Sequence, residues 1–574
     1  MKTWRINAPT MTTANSRARA IRQRILRRFA GRPVAGGLVA GGIIGLVVAL
    51  FSQVPPRFGT PGAVYTGAPQ GLDEWVYWSL VRAVWRGPNG FTYAYPFSLF
   101  WPAPAVLFQF PIALAAWIGR VTGLPLAFEI LRVGGTALSG AAMGAIGTRL
   151  CRGARWRSWF WIATVCGGGW FGWLALVRSV GISGADGWTE WWAYLPTAMG
   201  PLYSWLPFLL QNVVYPLEAA YHALVLGAFA ALLCNRNRMA ALLGLLAWFS
   251  NPFTAMSLAA AVLPWLAWNT CTHRGRMQRT ALWNLLAWLA ISGVAVGYYR
   301  YFLGQWPVLR ELSRMHMVPL APPLTTSQAI VLWGPWIPGL AWSVASRAGR
   351  RHVWGKPQWR LFALLAFTQA LFLHHDIALG DRAMQPFHFS RGYLLLGLAA
   401  VTWRAVMVLA GNRRMVPRWA ILAVALTLPD QALFFAREAL AGVRIGFVTP
   451  ELDRITAKMR DLPPGQVFLT DWPYAYTYIA AASHQVPYVM PDSMVVPWDG
   501  ERLSILRETA NDRAGKLTSL GISLAVAHED GQLHQMLLAG KWQPLAREGK
   551  LVLLSPDPPG PRPVPVFPPP PAAK

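Results

Sequence analysis

Residues 33–51 read PVAGGLVAGGIIGLVVALF, with no charged or polar side chain among them. At about 1.5 Å per residue such a run spans about one hydrocarbon core as a helix. Residues 1–32 ahead of it hold nine Lys/Arg and no acid. Basic residues beside a first span hold that end in the cytoplasm. No small-residue cleavage site follows, because residues 52–57 are polar and proline-containing. The run therefore reads as an uncleaved anchor rather than a signal peptide.

The remaining composition extends this reading. Of 574 residues, 54% are hydrophobic and 13% charged, against roughly 25% charged in a soluble domain. The 31 tryptophans suit membrane–water interfaces. A formal charge of +28 would suit a nucleic-acid binder, but its placement argues for topology. The segments expected inside (1–32, 149–157, 235–238, 272–279, 347–360 and 411–418) contain 26 Lys/Arg and no acid, while the rest holds 26 basic and 24 acidic residues. Membrane lipids with anionic headgroups are expected partners, and no nucleic acid is. Cys151, Cys166, Cys234 and Cys271 show no metal-type spacing and imply no disulfide framework.

The expected architecture is an α-helical polytopic membrane protein with about eleven spans. After 33–51 they fall near 128–146, 158–177, 206–233, 239–268, 280–303, 329–345, 361–373, 393–410 and 419–435. The 239–268 stretch counts twice, hinged at Ser250-Asn251-Pro252, which keeps the basic loop 272–279 inside. An outer loop covers 52–103, and the apolar stretch 104–118 only dips into the bilayer. An odd count leaves the C-terminal part outside. From about Thr449 strand-like runs at 467–470, 486–490, 522–527 and 551–554 alternate with helix-like stretches at 501–520 and 532–539. The divisions are thus a basic N-terminus 1–32, a transmembrane domain 33–448, a small extracytoplasmic α/β domain 449–555 and a proline-rich tail 556–574.

The outer loop carries the most chemistry. Gly71-Leu72-Asp73-Glu74-Trp75-Val76-Tyr77-Trp78 opens an amphipathic, aromatic stretch with two acids. Helix neighbours point about 100° apart, so Asp73 and Glu74 face different tasks, and Tyr77 shares the face of Asp73. An acid at the membrane surface can act as general base or metal ligand for a lipid-borne substrate. The plainer alternative is a solvated helix start stabilised by acids.

This layout resembles the GT-C superfamily of integral-membrane glycosyltransferases. The matching pieces are Asp73-Glu74 with Tyr77, the Tyr93–Pro104 region and Leu131-Arg132. Gly167-Gly168-Gly169-Trp170, Asn212 to Pro216 and Asn251-Pro252-Phe253 resemble an uncharacterised bacterial branch. The chain departs from the pattern where Trp101-Pro102-Ala103-Pro104 replaces the usual proline pair. The resemblance implies a multi-pass protein of the bacterial inner membrane. It would move a sugar from a polyprenyl-phosphate donor to a glycan, lipid or protein acceptor in the cell envelope. Asp73, with Glu74, would be catalytic, as base or as ligand of a divalent metal (Mg or Mn).

A leaving lipid phosphate needs a cation. Arg391, with His388 in Phe387-His388-Phe389-Ser390-Arg391, is the donor-phosphate candidate, against the alternative of a snorkelling anchor. Arg310, Arg314 and His316 are weaker candidates. Glu218 and His222 lie four apart on one helix face; with Tyr77 they are expected to line the substrate cavity. His374-His375-Asp376 reads as interfacial polarity, and Glu129 with Arg132 as a structural ion pair. Asp186 and Glu190 among Trp188, Trp191 and Trp192 would stack on sugar or sit at the interface. The rival functions are a transporter or flippase of lipid-linked glycans, and a non-catalytic assembly protein.

Overall fold

The computed structural model describes residues 32–53, 62–68, 72–98, 104–174, 208–315, 326–379, 386–389, 391–411, 415–441, 446–472, 475–489, 504, 506 and 515–556. Helix α1 (Pro33–Gln53) is the expected anchor. Strand β1 (Val64–Tyr65) and helix α2 (Leu72–Arg86) follow in the outer loop. Helices α3 (Phe110–Thr122) and α4 (Leu124–Leu150) meet at Gly123, whose φ of 81° suits glycine. With 13 residues α3 is too short to cross a bilayer alone, and it occupies much of the stretch expected to dip.

Small residues bring α1 against α4. Gly37, Gly41 and Gly45 recur every four residues on α1 and meet Gly140, Thr136 and Val133 in reverse order, so the helices run antiparallel. A methyl group on Gly37 would lie 2.1 Å from the Gly140 carbonyl oxygen, and one on Gly140 would lie 2.2 Å from that of Gly37. Lipid-embedded helices gain little from hydrophobic exclusion and associate by such close packing. Gly140→Leu is expected to separate α1 from α4 and lower the melting midpoint by several degrees in detergent, whereas Gly134→Ala, at a site with nothing within 4 Å, should leave it unchanged.

Further along lie α5 (Ala154–Trp161), α6 (Pro216–Leu233), α7 (Asn237–Trp248), α8 (Pro252–Thr272) and α9 (Gly275–Val296). They are followed by α10 (Pro307–Met315), α11 (Pro357–Leu373), α12 (Tyr393–Leu409) and α13 (Pro429–Ala441). The expected hinge between α7 and α8 is present: Asn251 accepts from the Thr254 amide at 3.1 Å, and Pro252 opens α8.

Several expected spans are broken. Proline cannot donate its amide and disfavours a helical residue before it. The 206–233 stretch accordingly splits into Leu209–Asn212 and α6 at Pro216, and 419–435 splits ahead of Pro429. The 158–177 stretch loses its helix at Gly167, and 329–345 divides into Thr326–Trp333 and Ile337–Ala345. Among the described residues five helical stretches are long and apolar enough to cross a membrane: Pro33–Gln53, Leu124–Leu150, Pro216–Leu233, Gly275–Gln305 and Arg418–Phe435.

The break at Gly167 has a partner. Asp430 at the start of α13 is buried and accepts from the amides of Gly169 at 2.7 Å, Phe171 at 3.3 Å and Gly172 at 2.6 Å. Gln431 donates to the Gly167 carbonyl at 2.8 Å. A carboxylate thus satisfies the amides that the unwound backbone releases.

Strand β2 (Phe447–Val448) pairs antiparallel with β1 and ties the outer loop to the C-terminal part. Helix α14 (Pro450–Arg460), β3 (Val467–Thr470), α15 (Ala475–Ser483), β4 (Val486–Pro487), β5 (Ile522–His528), α16 (Gln532–Ala539), β6 (Trp542–Glu548) and β7 (Leu551–Pro556) complete it. The sheet order is β4-β3-β5-β7-β6, with β4, β3 and β5 parallel and the β5–β7 and β7–β6 pairs antiparallel. Strand β6 is not among the expected strands: Pro544 interrupts its run, and beyond Trp542 its residues are mostly exposed. Most of the helix expected at 501–520, and residues 557–574 of the tail, lie outside the described residues.

This sheet and α2 share one hydrophobic cluster that also includes Ile112 and Ala116 of α3. Trp75 of α2 meets Tyr478 of α15 with ring centroids 5.3 Å apart. A second cluster joins the helices from α4 to α12. Helix α2 is therefore held between the C-terminal sheet on one face and the helical bundle on the other.

Candidate active site

The placement of α2 begins with Arg132, which is fully buried in α4. Its Nη1 donates to Glu129 Oε1 at 2.5 Å and to Ser52 Oγ at 2.8 Å, and its Nη2 to Glu74 Oε1 at 3.2 Å. Gln53 donates to Glu129 at 2.8 Å, and the Tyr65 hydroxyl to Gln53 at 2.8 Å. One guanidinium thereby fastens the end of α1, the first turn of α2 and the strand that leads into it. The sequence pairs Glu74 with Asp73 as a catalytic candidate. The geometry instead gives Glu74 a positioning role, because it is 2% exposed and paired with Arg132. Arg132→Ala would leave Glu74 and Glu129 facing each other without a cation. Removing one partner of a buried pair costs about 3–5 kcal/mol, so a melting midpoint that stays unchanged would contradict this role.

With Glu74 held inward, Asp73 turns the other way. Its side chain has no hydrogen bond or ion pair among the described residues, and the residue is exposed. Burial nevertheless pushes its carboxyl up from 3.8 to about 6. Tyr77, one turn on, stacks on Phe128 of α4 at 6.5 Å. Burial raises its phenol well above the usual range; the Asp73 charge adds to the rise, and Arg391 opposes it.

Arg391 approaches Tyr77 from the turn before α12. Its φ of 21° and that of Gly392 at 75° are left-handed, and a methyl group on Gly392 would lie 2.5 Å from the Leu209 amide nitrogen. Such backbone persists only where the surroundings enforce it. Arg391 is 4% exposed, forms an ion pair with Glu218 of α6, and lies over the Tyr221 ring with its Cζ 5.8 Å from the centroid. Its Nε donates to the His388 carbonyl at 2.8 Å, and its Nη2 faces His388 Nδ1 at 3.4 Å. The His388 ring stacks on Phe253 of α8 at 4.5 Å. His222 Nδ1 lies 3.0 Å from the Tyr393 hydroxyl, while its buried Nε2 has no hydrogen-bond partner among the described residues.

Asp73, Tyr77, Glu218, His222, His388 and Arg391, drawn from three separate segments of sequence, thus surround one region. Carboxylate and guanidinium flank Tyr77 rather than touching each other. Tyr221, Tyr215 and Tyr393 complete the surround; none was singled out from sequence, although Tyr221 and Tyr393 adjoin residues that were. His375 packs edge-on to Phe389 at 5.7 Å, and Arg310 donates to the Gly304 carbonyl at 3.1 Å from α10. Asp186, Glu190, the tryptophans near them, Trp101 to Ala103, His316 and Ser390 lie outside the described residues, as do the side chains of Arg314 and Asp376. Among the described residues no three His, Cys, Asp or Glu converge as metal ligands.

No family model matches this sequence, and no characterised protein matches it in sequence. It is similar to solved structures along most of its length. ArnT from Cupriavidus metallidurans bound to undecaprenyl phosphate aligns over 91% of this chain and 98% of its own, at 12% identity and a TM-score of 0.48. The archaeal oligosaccharyltransferase AglB from Archaeoglobus fulgidus, in complex with an inhibitory peptide and a dolichol-phosphate, aligns over 88% of this chain and 70% of its own, at 14% identity and a TM-score of 0.41.

Proposed function

We propose that this chain is a membrane glycosyltransferase that moves a sugar from a polyprenyl-phosphate donor to an acceptor hydroxyl at the outer face. The observation that carries this reading is the pairing of an unpartnered, desolvated carboxylate (Asp73) with a buried guanidinium (Arg391) across Tyr77. In this reading the acceptor O–H proton passes to Asp73 as the oxygen bonds to the anomeric carbon. The bond from that carbon to phosphate oxygen breaks, and its electron pair leaves with the lipid phosphate. Arg391 stabilises the charge that develops there, aligned by His388 and Glu218. A desolvated carboxyl near about 6 is ionised at neutral pH and still a stronger base than an ordinary aspartate. Glu74 and Arg132 position α2, and Tyr77 lines the space between base and cation.

The test is turnover in proteoliposomes supplied with polyprenyl-phosphate sugars and simple glycoside acceptors. Release of polyprenyl phosphate that depends on acceptor supports the reading. Transbilayer movement of the intact donor without cleavage of the glycosyl–phosphate bond would replace it with a flippase.

A further inference from the structure

Helix α2 has a second functional-looking face. Arg82 lies nine residues beyond Asp73, which in a helix is about 180° around the axis and about 13 Å along it. With Ser79, Ala83 and Arg86 it forms one wall of a cavity of about 250 Å³. The opposite wall comes from the C-terminal sheet region, at Ala480, His484 and Gln485, and the sides include Tyr95, Pro96 and Phe97. Among the described residues no lining residue is acidic, and none belongs to a helix long and apolar enough to cross a membrane.

Among the described residues no acid forms an ion pair with Arg82 or Arg86. Arg82 Nε and Nη1 are buried without hydrogen-bond partners among the described residues, as is His484 Nδ1. Burial lowers the Arg82 guanidinium to about 10, with the charges of Arg460 and Arg86 adding to the fall. Burial also lowers the His484 imidazole to about 4, with Arg82, Arg86 and Arg460 adding to the fall. His484 holds a left-handed φ of 69°, a conformation non-glycine residues adopt at a cost. Like charges gathered around a void destabilise the empty protein and favour an anion placed among them.

We infer that this cavity binds an anionic monosaccharide unit, a sugar carrying phosphate or carboxylate, with Arg82 and Arg86 on the anion and the Tyr95–Phe97 wall against the ring. A lipid headgroup is disfavoured because, among the described residues, no wall comes from a helix long and apolar enough to cross a membrane. The volume lies just below the usual range of about 300–1,000 Å³ for ligand pockets, which suits one sugar rather than a chain. Assigning that unit to the acceptor glycan rests on the transferase reading; the binding itself does not.

The test uses the full-length protein in nanodiscs, with calorimetric titration of glucose 6-phosphate, glucuronate, glucose and inorganic phosphate. Both anionic sugars should bind, glucose should not, and inorganic phosphate should bind at least tenfold more weakly than glucose 6-phosphate. Arg82→Gln/Arg86→Gln should lose at least tenfold in affinity without a lower melting midpoint in the absence of ligand. Ala94→Leu, which fills the cavity and alters no charge, should also weaken binding. Asp73→Asn should bind as wild type, so failure here and failure of the transferase reading are separately visible. Absence of binding by either anionic sugar would overturn the inference, as would unchanged affinity in the double glutamine variant or equal affinity for phosphate and glucose 6-phosphate.

Discussion

Asp73→Asn should reduce sugar transfer by about 10²–10⁴-fold, the range that a positioned general base contributes, while insertion, expression and donor binding stay intact. The amide keeps the shape of the side chain and removes its basicity, so the loss falls on kcat. The wild-type profile follows from the same carboxyl. Below about pH 6 Asp73 is protonated and cannot accept the acceptor's proton. The rate should therefore rise with pH through about 6 and level off above it. Stability runs the opposite way. Folding raises this carboxyl above its ordinary value of 3.8, so the folded state loses stability as pH climbs from there through about 6. Asp73→Asn removes that penalty and should melt at the same temperature as wild type or higher at neutral pH. Wild-type turnover in the amide variant, or a profile flat across pH 5–7, would remove Asp73 from the chemistry.

Arg391→Ala should act on the donor. Hydrogen bonds to a charged group contribute about 1.5–3 kcal/mol, or about 10–100-fold in affinity for polyprenyl phosphate. The substitution also strands Glu218, whose Oε2 is already buried without a hydrogen-bond partner among the described residues. Some loss of stability is expected with it, and a second variant separates the two effects. Glu218→Gln removes the competing carboxylate while leaving Arg391 charged, and should tighten lipid-phosphate binding. Arg391→Ala/Glu218→Gln should regain the melting midpoint of wild type without regaining donor affinity. A double variant that binds donor as wild type would make Arg391 a structural residue only.

Much of this arrangement was legible where the signal was local. The hinge at Asn251-Pro252, the Glu129–Arg132 spacing and the shared faces of Asp73 with Tyr77 and of Glu218 with His222 all follow from helical periodicity and proline chemistry. What periodicity cannot reveal is which distant groups meet. Glu74 is 58 residues from Arg132, so its diversion from catalysis to anchoring is invisible without the fold. Asp430 satisfies amides near Gly169 from more than 250 positions away. Its presence beside an apolar run was still a cue, since acids in such segments usually have a partner. The Gly37, Gly41, Gly45 spacing is equally readable as a packing face. Arg82 and Arg86 carry no local signal of a site; only the C-terminal region packed on α2 turns their face into the wall of a cavity.

The most direct measurement of the central claim is binding of undecaprenyl phosphate to wild type, Asp73→Asn and Arg391→Ala in nanodiscs, read side by side with single-turnover transfer. The account predicts wild-type binding with lost transfer for Asp73→Asn, and binding weakened at least tenfold for Arg391→Ala. Loss of binding in Asp73→Asn together with full binding in Arg391→Ala would contradict it.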